Sequence, residues 1–296
     1  MTQSCPIIKL EKLLLSTDGS EFSEGAIREA IDIAKICSSK LFVVSVVETN
    51  PEFEALAPQI VEKFENETRE HLESVKSRAS KEGVDCETIA HHSDEPFKSI
   101  VEDAAKKQVD MVVMGRRGRT GLKRLLMGSV TAKVIGHALC KVLVVPRAAR
   151  VEFKNILVAT DGSKHSDVAV SEAIGIAKRC GSKLTVISVV PSESISPLDI
   201  VRSDMQHKLV AEEDRLTAER NINKVKELAE KEGVQADTLI FAGRPYEVIV
   251  NTAKEKNADL IVVGSHGRTG LSRLMMGSVT ERVIGHADCA VLVVKC

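Results

Sequence analysis

Short runs of uninterrupted apolar residues alternate along this chain with longer segments whose apolar positions recur every three or four residues. The runs at 41–47, 111–115 and 141–146 read as strands buried on both faces, and 84–90 as a further strand. Segment 21–38 carries Ala26, Ile27, Ala30, Ile31 and Ala34 at helical spacing, with Ser20 as its N-cap. Segment 54–82 reads as one long charged helix closed by Gly83. Segments 96–107, with Pro96 near its start, and 129–138 complete the helices. Strands and helices in strict alternation predict an α/β fold with a parallel sheet covered on both faces. Such sheets hold ligands beyond the carboxyl ends of their strands, where the strand order reverses.

The whole pattern occurs twice. An apolar strand ends in Thr17-Asp18-Gly19-Ser20, and another in Thr160-Asp161-Gly162-Ser163. Residues 115–145 and 264–294 align without a gap, with 23 of 31 positions identical. The Thr-Asp-Gly-Ser copies lie 143 residues apart and the glycine loops 149, so the second half carries six extra residues in its middle, where 192–199 reads as loop. A period this long signals a duplicated domain and not a solenoid. The expected division is 1–149 and 150–296, with the boundary near Arg147-Ala148-Ala149-Arg150.

Composition narrows the classes. Net charge is −1, from 41 basic and 42 acidic residues, which leaves no electrostatic footprint for nucleic acid or anionic lipid. Aromatic residues are 3% of the chain, so base-stacking platforms are missing as well. No stretch approaches 18 apolar residues, and the N-terminus lacks a basic segment followed by an apolar core; neither secretion nor membrane spanning is expected. The seven cysteines contain no CxxC, and Cys37 and Cys180, like Cys140 and Cys289, occupy matching places in apolar segments. They read as buried small side chains in a reducing cytosol, not as bridges.

Three features converge at the strand ends. Asp18 and Asp161 close the first strand of each half, where a carboxylate can accept from ribose hydroxyls or simply form a turn. Gly115 and Gly118, with Gly264 and Gly267, follow the fourth strand and allow backbone N–H groups to approach an anion. Gly128-Ser129 and Gly277-Ser278 open a helix, whose free N–H groups and dipole favour phosphate. Between them, Arg119 and Arg268 can pair with phosphate oxygens or stand solvated. The intervening Leu122, Leu125, Leu126 and Met127 pack the spacer down or cover a partner surface. Neither G-x-x-x-x-G-K-[ST] nor a post-strand G-x-G-x-x-G is present.

Over essentially its full length the chain resembles the universal stress protein family in its tandem form. The glycine pattern G-x2-G-x9-G-[ST] and the Thr-Asp-Gly-Ser strand ending carry that resemblance. It implies a five-stranded parallel sheet of order 3-2-1-4-5 in each half. It implies ATP, or ADP or AMP, at both sites, with Asp18 and Asp161 on the nucleoside and Val46 and Val189 touching adenine through their backbone. The glycines with Ser129 and Ser278 would hold phosphates, aided by the N–H groups of Val130 and Val279, and Mg²⁺ would accompany the nucleotide. It further implies that the halves pair internally through their fifth strands, with a homodimer of the whole chain left open. Arg116-Arg117 stands against Ser265-His266 in the two loops, and the more basic first loop is expected to favour more phosphate charge.

His137 and His286 read as structural helix-end residues, and His91 and His92, adjacent on a strand, point to opposite faces and do not make a metal site. Apart from His266, no evident catalytic base adjoins the glycine motifs, so no catalytic residue is assigned. The reading is a cytosolic nucleotide-dependent stress-response regulator or sensor. The alternatives are a slow Mg-dependent ATPase and a nucleotide-free scaffold.

Overall fold

The computed structural model describes residues 5–7, 9–119, 127–191, 204–267 and 276–296, the side chains at 191 and 204–211 excepted. In chain order the first half contains β1 (Lys12–Ser16), a short 3-10 turn (Glu21–Ser23), α1 (Glu24–Cys37), β2 (Lys40–Glu48), α2 (Pro51–Leu56), α3 (Pro58–Lys81), β3 (Cys86–Ser93), α4 (Pro96–Lys107), β4 (Met111–Gly115), α5 (Ser129–His137) and β5 (Lys141–Val145). The second contains β6 (Asn155–Ala159), α6 (Lys164–Cys180), β7 (Lys183–Pro191), α7 (Asp204–Lys231), β8 (Ala236–Gly243), α8 (Pro245–Glu255), β9 (Leu260–Gly264), α9 (Ser278–His286) and β10 (Ala290–Val294).

The strands form one ten-stranded sheet of order β3-β2-β1-β4-β5-β10-β9-β6-β7-β8. Each half is parallel throughout, in the order 3-2-1-4-5. The halves meet where β5 and β10 run antiparallel, Leu143 opposite Leu292. Period-two alternation sends Leu13 and Leu15 into the core beneath α1, α3, α6 and α7, while Leu14 faces the opposite core with residues of α4, α5, α8 and α9. Both faces are therefore dry at the centre of the sheet, which is why β4, β5, β9 and β10 are apolar at almost every position, while the outer strands β3 and β8 mix in polar residues.

The sequence-based expectations need four corrections here. The helix expected over 54–82 is two helices. Pro58 lacks an N–H and cannot continue a helix, so α2 stops at Leu56 and α3 restarts with Pro58 in its first turn. The first of them starts at Pro51 and not at 54, with Asn50 capping it by accepting from the Phe53 N–H at 2.8 Å. Ser20 does not cap α1: its hydroxyl donates to Asp18 Oδ1 at 2.7 Å and a 3-10 turn intervenes, whereas its counterpart Ser163 does cap α6 by accepting from the Ser166 N–H. Cys37 is not a free buried thiol. It is bridged to Cys5, which lies upstream of the repeated unit. That removes the cysteine pattern as an argument for a reducing compartment.

The bridge fastens a short N-terminal strap across the two halves. Ile7 and Leu10 are buried, and Arg179 at the end of α6 donates to the Pro6 carbonyl at 2.9 Å. The linker is held from α1. Buried Glu29 accepts from the Val151 N–H at 3.0 Å and pairs with Arg28, while Arg28 also donates to the Ala149 carbonyl. Burial raises the Glu29 carboxyl above its usual range against these bonds.

Candidate functional site

At the carboxyl edge of the sheet, β1 and β4 are neighbours from which the chain departs in opposite directions, and so are β6 and β9. Each pair brings the aspartate of one strand end beside the glycine loop of the other. A Cβ on Gly118 would stand 2.8 Å from Asp18 Oδ2, and one on Gly267 2.8 Å from Asp161 Oδ2. A side chain at either place would push the carboxylate aside, so glycine lets the aspartate and the loop stay in contact.

The helix that ends each loop is drawn back to where the loop began. The Gly128 N–H donates to the Arg116 carbonyl and the Gly277 N–H to the Ser265 carbonyl, both at 2.9 Å. Thr131 donates to the Gly115 carbonyl at 3.0 Å and Thr280 to the Gly264 carbonyl at 2.8 Å. Sequence reasoning passed over these two threonines. The available signal was their identity in both copies, two residues after the paired serines. The result sets the first turn of α5 or α9, with Ser129 or Ser278 exposed at its start, against the strand end.

In the second half these parts enclose a cleft of about 300 Å³. Asp161, Val189, Gly264, Gly267, Gly277, Ser278 and Val279 all line it, so every sequence-derived candidate of that half within the described residues meets there. Arg268 lies outside the described residues. The floor is apolar, from Ala159, Ile187, Ile249 and Val263. Asp214 on α7 and His266 also face it, neither of them among the candidates. A pocket of this size, with an apolar floor and a few convergent polar groups at one end, suits a small ligand of mixed character.

The first half arranges its candidates differently. Asp18 is engaged on both oxygens, Oδ1 accepting from the Ser20 N–H and hydroxyl and Oδ2 from the Arg119 N–H at 2.6 Å. The Arg119 side chain turns back over Gly19 and donates from Nε to the Asp18 carbonyl at 2.6 Å. His71 of α3 stands on the same glycine, its Nε2 2.9 Å from Thr17 Oγ1. In the second half Asn221 of α7 takes that place over Gly162. Val46 is half-buried near the end of β2, and Val130 half-buried in the first turn of α5. Leu122, Leu125 and Leu126 lie outside the described residues; Met127 is buried.

Of the first loop's two arginines, one is engaged away from the loop. Arg116 does not face the glycine loop's ligand side. Its Nη1 donates to the Gly285 and Ala287 carbonyls at the end of α9, at 3.2 and 2.7 Å, and so caps a helix of the other half. Lys295 reciprocates on the Ile135 carbonyl of α5. Arg117 remains beside the loop, its Nε buried without a hydrogen-bond partner among the described residues. The counterpart pair in the second half is polar and uncharged at Ser265, which is buried, with the His266 ring tilted against that of His165 at 5.0 Å between ring centroids.

The other histidines have local roles. His137 and His286 bond the Lys133 and Arg282 carbonyls within their own helices and rest on Phe97 and Tyr246. His91 bonds Asp103 at 2.6 Å, while His92 turns to Glu54 and Glu65. Among the described residues there is no group of three or more metal-type side chains, and no helix is long and apolar enough to cross a membrane.

Comparison with known proteins shows the family and the fold. The model of the universal stress protein family matches residues 9–146 and again 152–295. A universal stress protein of Methanocaldococcus jannaschii is 41% identical over 143 residues, which is 48% of this chain and 82% of that protein. A putative universal stress protein of Staphylococcus aureus is 37% identical over 147 residues, 49% of this chain and 86% of that one. Among solved structures, a universal stress protein from Archaeoglobus fulgidus superposes with a TM-score of 0.73 at 24% identity, covering 98% of both chains, which is a likeness of fold.

Proposed function

The chain belongs to the universal stress protein family in its tandem form, and on that premise we propose that it is an adenine-nucleotide-binding regulator of the stress response. The units 1–149 and 150–296 each carry a nucleotide site, and ATP is the ligand. The observation that carries this reading is the second-half cleft, where a strand-end carboxylate, a glycine loop and a helix N-terminus meet over an apolar floor. In this reading the base lies against Val189, the ribose hydroxyls donate to Asp161, and the phosphates receive N–H groups from the Gly264–Gly267 turn and from Ser278 and Val279. Asp18, Val46, Gly115, Gly118, Arg119, Gly128, Ser129 and Val130 serve the first unit in the same way, and Arg268 assists in the second.

Mg²⁺ fits as a passenger of the phosphates. The carboxylates lining the cleft are Asp161 and Asp214, and such an ion is commonly held by one or two carboxylates together with phosphate oxygens. The test is to denature freshly purified protein and identify the released nucleotide by chromatography, counted per chain. One or two adenine nucleotides per chain are expected. None, together with no thermal stabilisation by added Mg-ATP, rejects the reading and leaves a scaffold.

A further inference from the structure

We propose that His266 is the side chain with which the second unit reads the terminal phosphate of its nucleotide, making that site selective for nucleoside di- and triphosphates and responsive to pH. This rests on the nucleotide reading above and assigns a role to a side chain which that reading does not use.

His266 is held in place from three directions. Its Cα packs against Gly277, where a Cβ would stand only 3.3 Å away. Its Nδ1 lies 3.0 Å from the hydroxyl of Ser265, which is 1% exposed. Its ring rests on His165, in the first turn of α6. The remaining nitrogen, Nε2, is buried and has no hydrogen-bond partner among the described residues, although the residue lines the cleft. A buried ring nitrogen without a partner is costly, and an anionic oxygen between the N-termini of α6 and α9 would satisfy it.

The two imidazole rings lie 5.0 Å apart between centroids. Burial, then His266 and then Lys295 hold His165 below the ordinary imidazole range, while Asp161 opposes them. Phosphate charge reverses that balance and favours the imidazolium, so a polyphosphate should bind with uptake of a proton. The groups that face the His165–His266 pair are Asp161 and Lys295, which act on His165, Asp214 in the lining of the same cleft, and Ser265, whose hydroxyl lies 3.0 Å from His266 Nδ1 and 3.4 Å from His165 Nδ1. The first unit has Phe22 and Arg117 at the equivalent places. Its cation does not titrate near neutrality, so its phosphate preference should not vary with pH.

The experiment is calorimetric titration of the full chain with ATP, ADP, AMP and adenosine at about pH 6 and about pH 8. It is run in the native chain and in a chain carrying Asp18→Asn to weaken the first site. The native second site is expected to favour ATP over AMP more strongly at the lower pH. His266→Gln should lower ATP affinity about tenfold, leave adenosine unchanged and flatten the pH dependence. His266→Arg should keep ATP but lose the pH dependence. If ATP binds and His266→Gln changes neither the ATP-to-adenosine ratio nor its pH dependence, this inference is overturned and the nucleotide reading stands. If none of the four ligands binds the folded native chain, both are overturned.

Discussion

The loop after β4 and the loop after β9 start from the same glycine and return to the same Gly-Ser helix start, yet the residues between are used for different ends. In the first, Arg116 crosses to the other half and caps α9, and Arg119 and His71 lean over the turn that carries Asp18. In the second, Ser265 and His266 stay at home and line or support a cleft. Among the described residues the backbone hydrogen bond that closes the loop is the same in both, Gly128 to the Arg116 carbonyl and Gly277 to the Ser265 carbonyl. The comparison teaches that duplication preserved the scaffold of the site, while side chains at two or three positions assigned the copies to different work. One copy braces the interface; the other lines a cleft with titratable groups.

The comparison can be broken at several points, and the largest effect is expected at the N-terminal strap. Cys5 and Cys37 are 32 residues apart in sequence, a loop whose closure stabilises by about 4 kcal/mol in the chain-entropy picture. Cys37→Ser should lower stability by that order, whereas Cys180→Ser at the matching place should change little, because Cys180 is free and exposed. Denaturant unfolding of both variants, with and without reductant, checks this. Equal losses would mean that the strap does not distinguish the halves.

Gly25 provides the next contrast. A Cβ there would stand 2.6 Å from the Pro146 carbonyl and 2.9 Å from that of Arg147, where the first half runs into the linker. Its counterpart Val168 is partly exposed. Gly25→Val should cost about 3 kcal/mol by overpacking against backbone, and Val168→Gly only about 1 kcal/mol of helix propensity. Thermal unfolding of the two variants ranks them, and a reversed order would contradict the assigned packing.

The crossed caps come third. Arg116→Ala removes two bonds to the end of α9 and should cost about 1–2 kcal/mol. Protection of α9 amides from hydrogen exchange should fall while that of α5, capped by Lys295, holds. Loss of protection in α5 alone would refute the crossing.

The smallest effect is a pH slope. Burial, opposed by Asp18 and Glu24 and aided by Arg119 and Arg78, keeps His71 below its ordinary pKa of 6.5. The folded protein therefore binds fewer protons than the unfolded chain in that region. The stabilisation is complete above about 6.5 and is lost as pH falls toward the folded value. His71→Asn, which copies Asn221, should flatten that slope, read as the midpoint of urea unfolding against pH. An unchanged slope would assign the titration elsewhere.

Much of this was legible in the residues. Uninterrupted apolar runs such as 111–115 announced strands covered on both faces, because only such strands can be apolar at every position. The recurrence of Thr-Asp-Gly-Ser and of the glycine spacing announced the duplication. Element boundaries failed where one residue outweighed a long pattern, as Pro58 did within the stretch 54–82. The capping serines were legible as a type but not by role: Ser20 and Ser163 are identical, and only the contacts around them send one to Asp18 and the other to a helix.

The sequence by itself determined the α/β alternation, the two units, and which residues stand at the strand ends, since periodicity and spacing are local properties of a chain. Tertiary structure alone decided where Arg116 points, that Cys5 reaches Cys37, and that His266 lies against His165. Each of these pairs residues distant in the chain, and in the first case in different halves. Nothing in local spacing encodes such a meeting; it depends on the register of β5 against β10 and on which helices the folded sheet brings side by side.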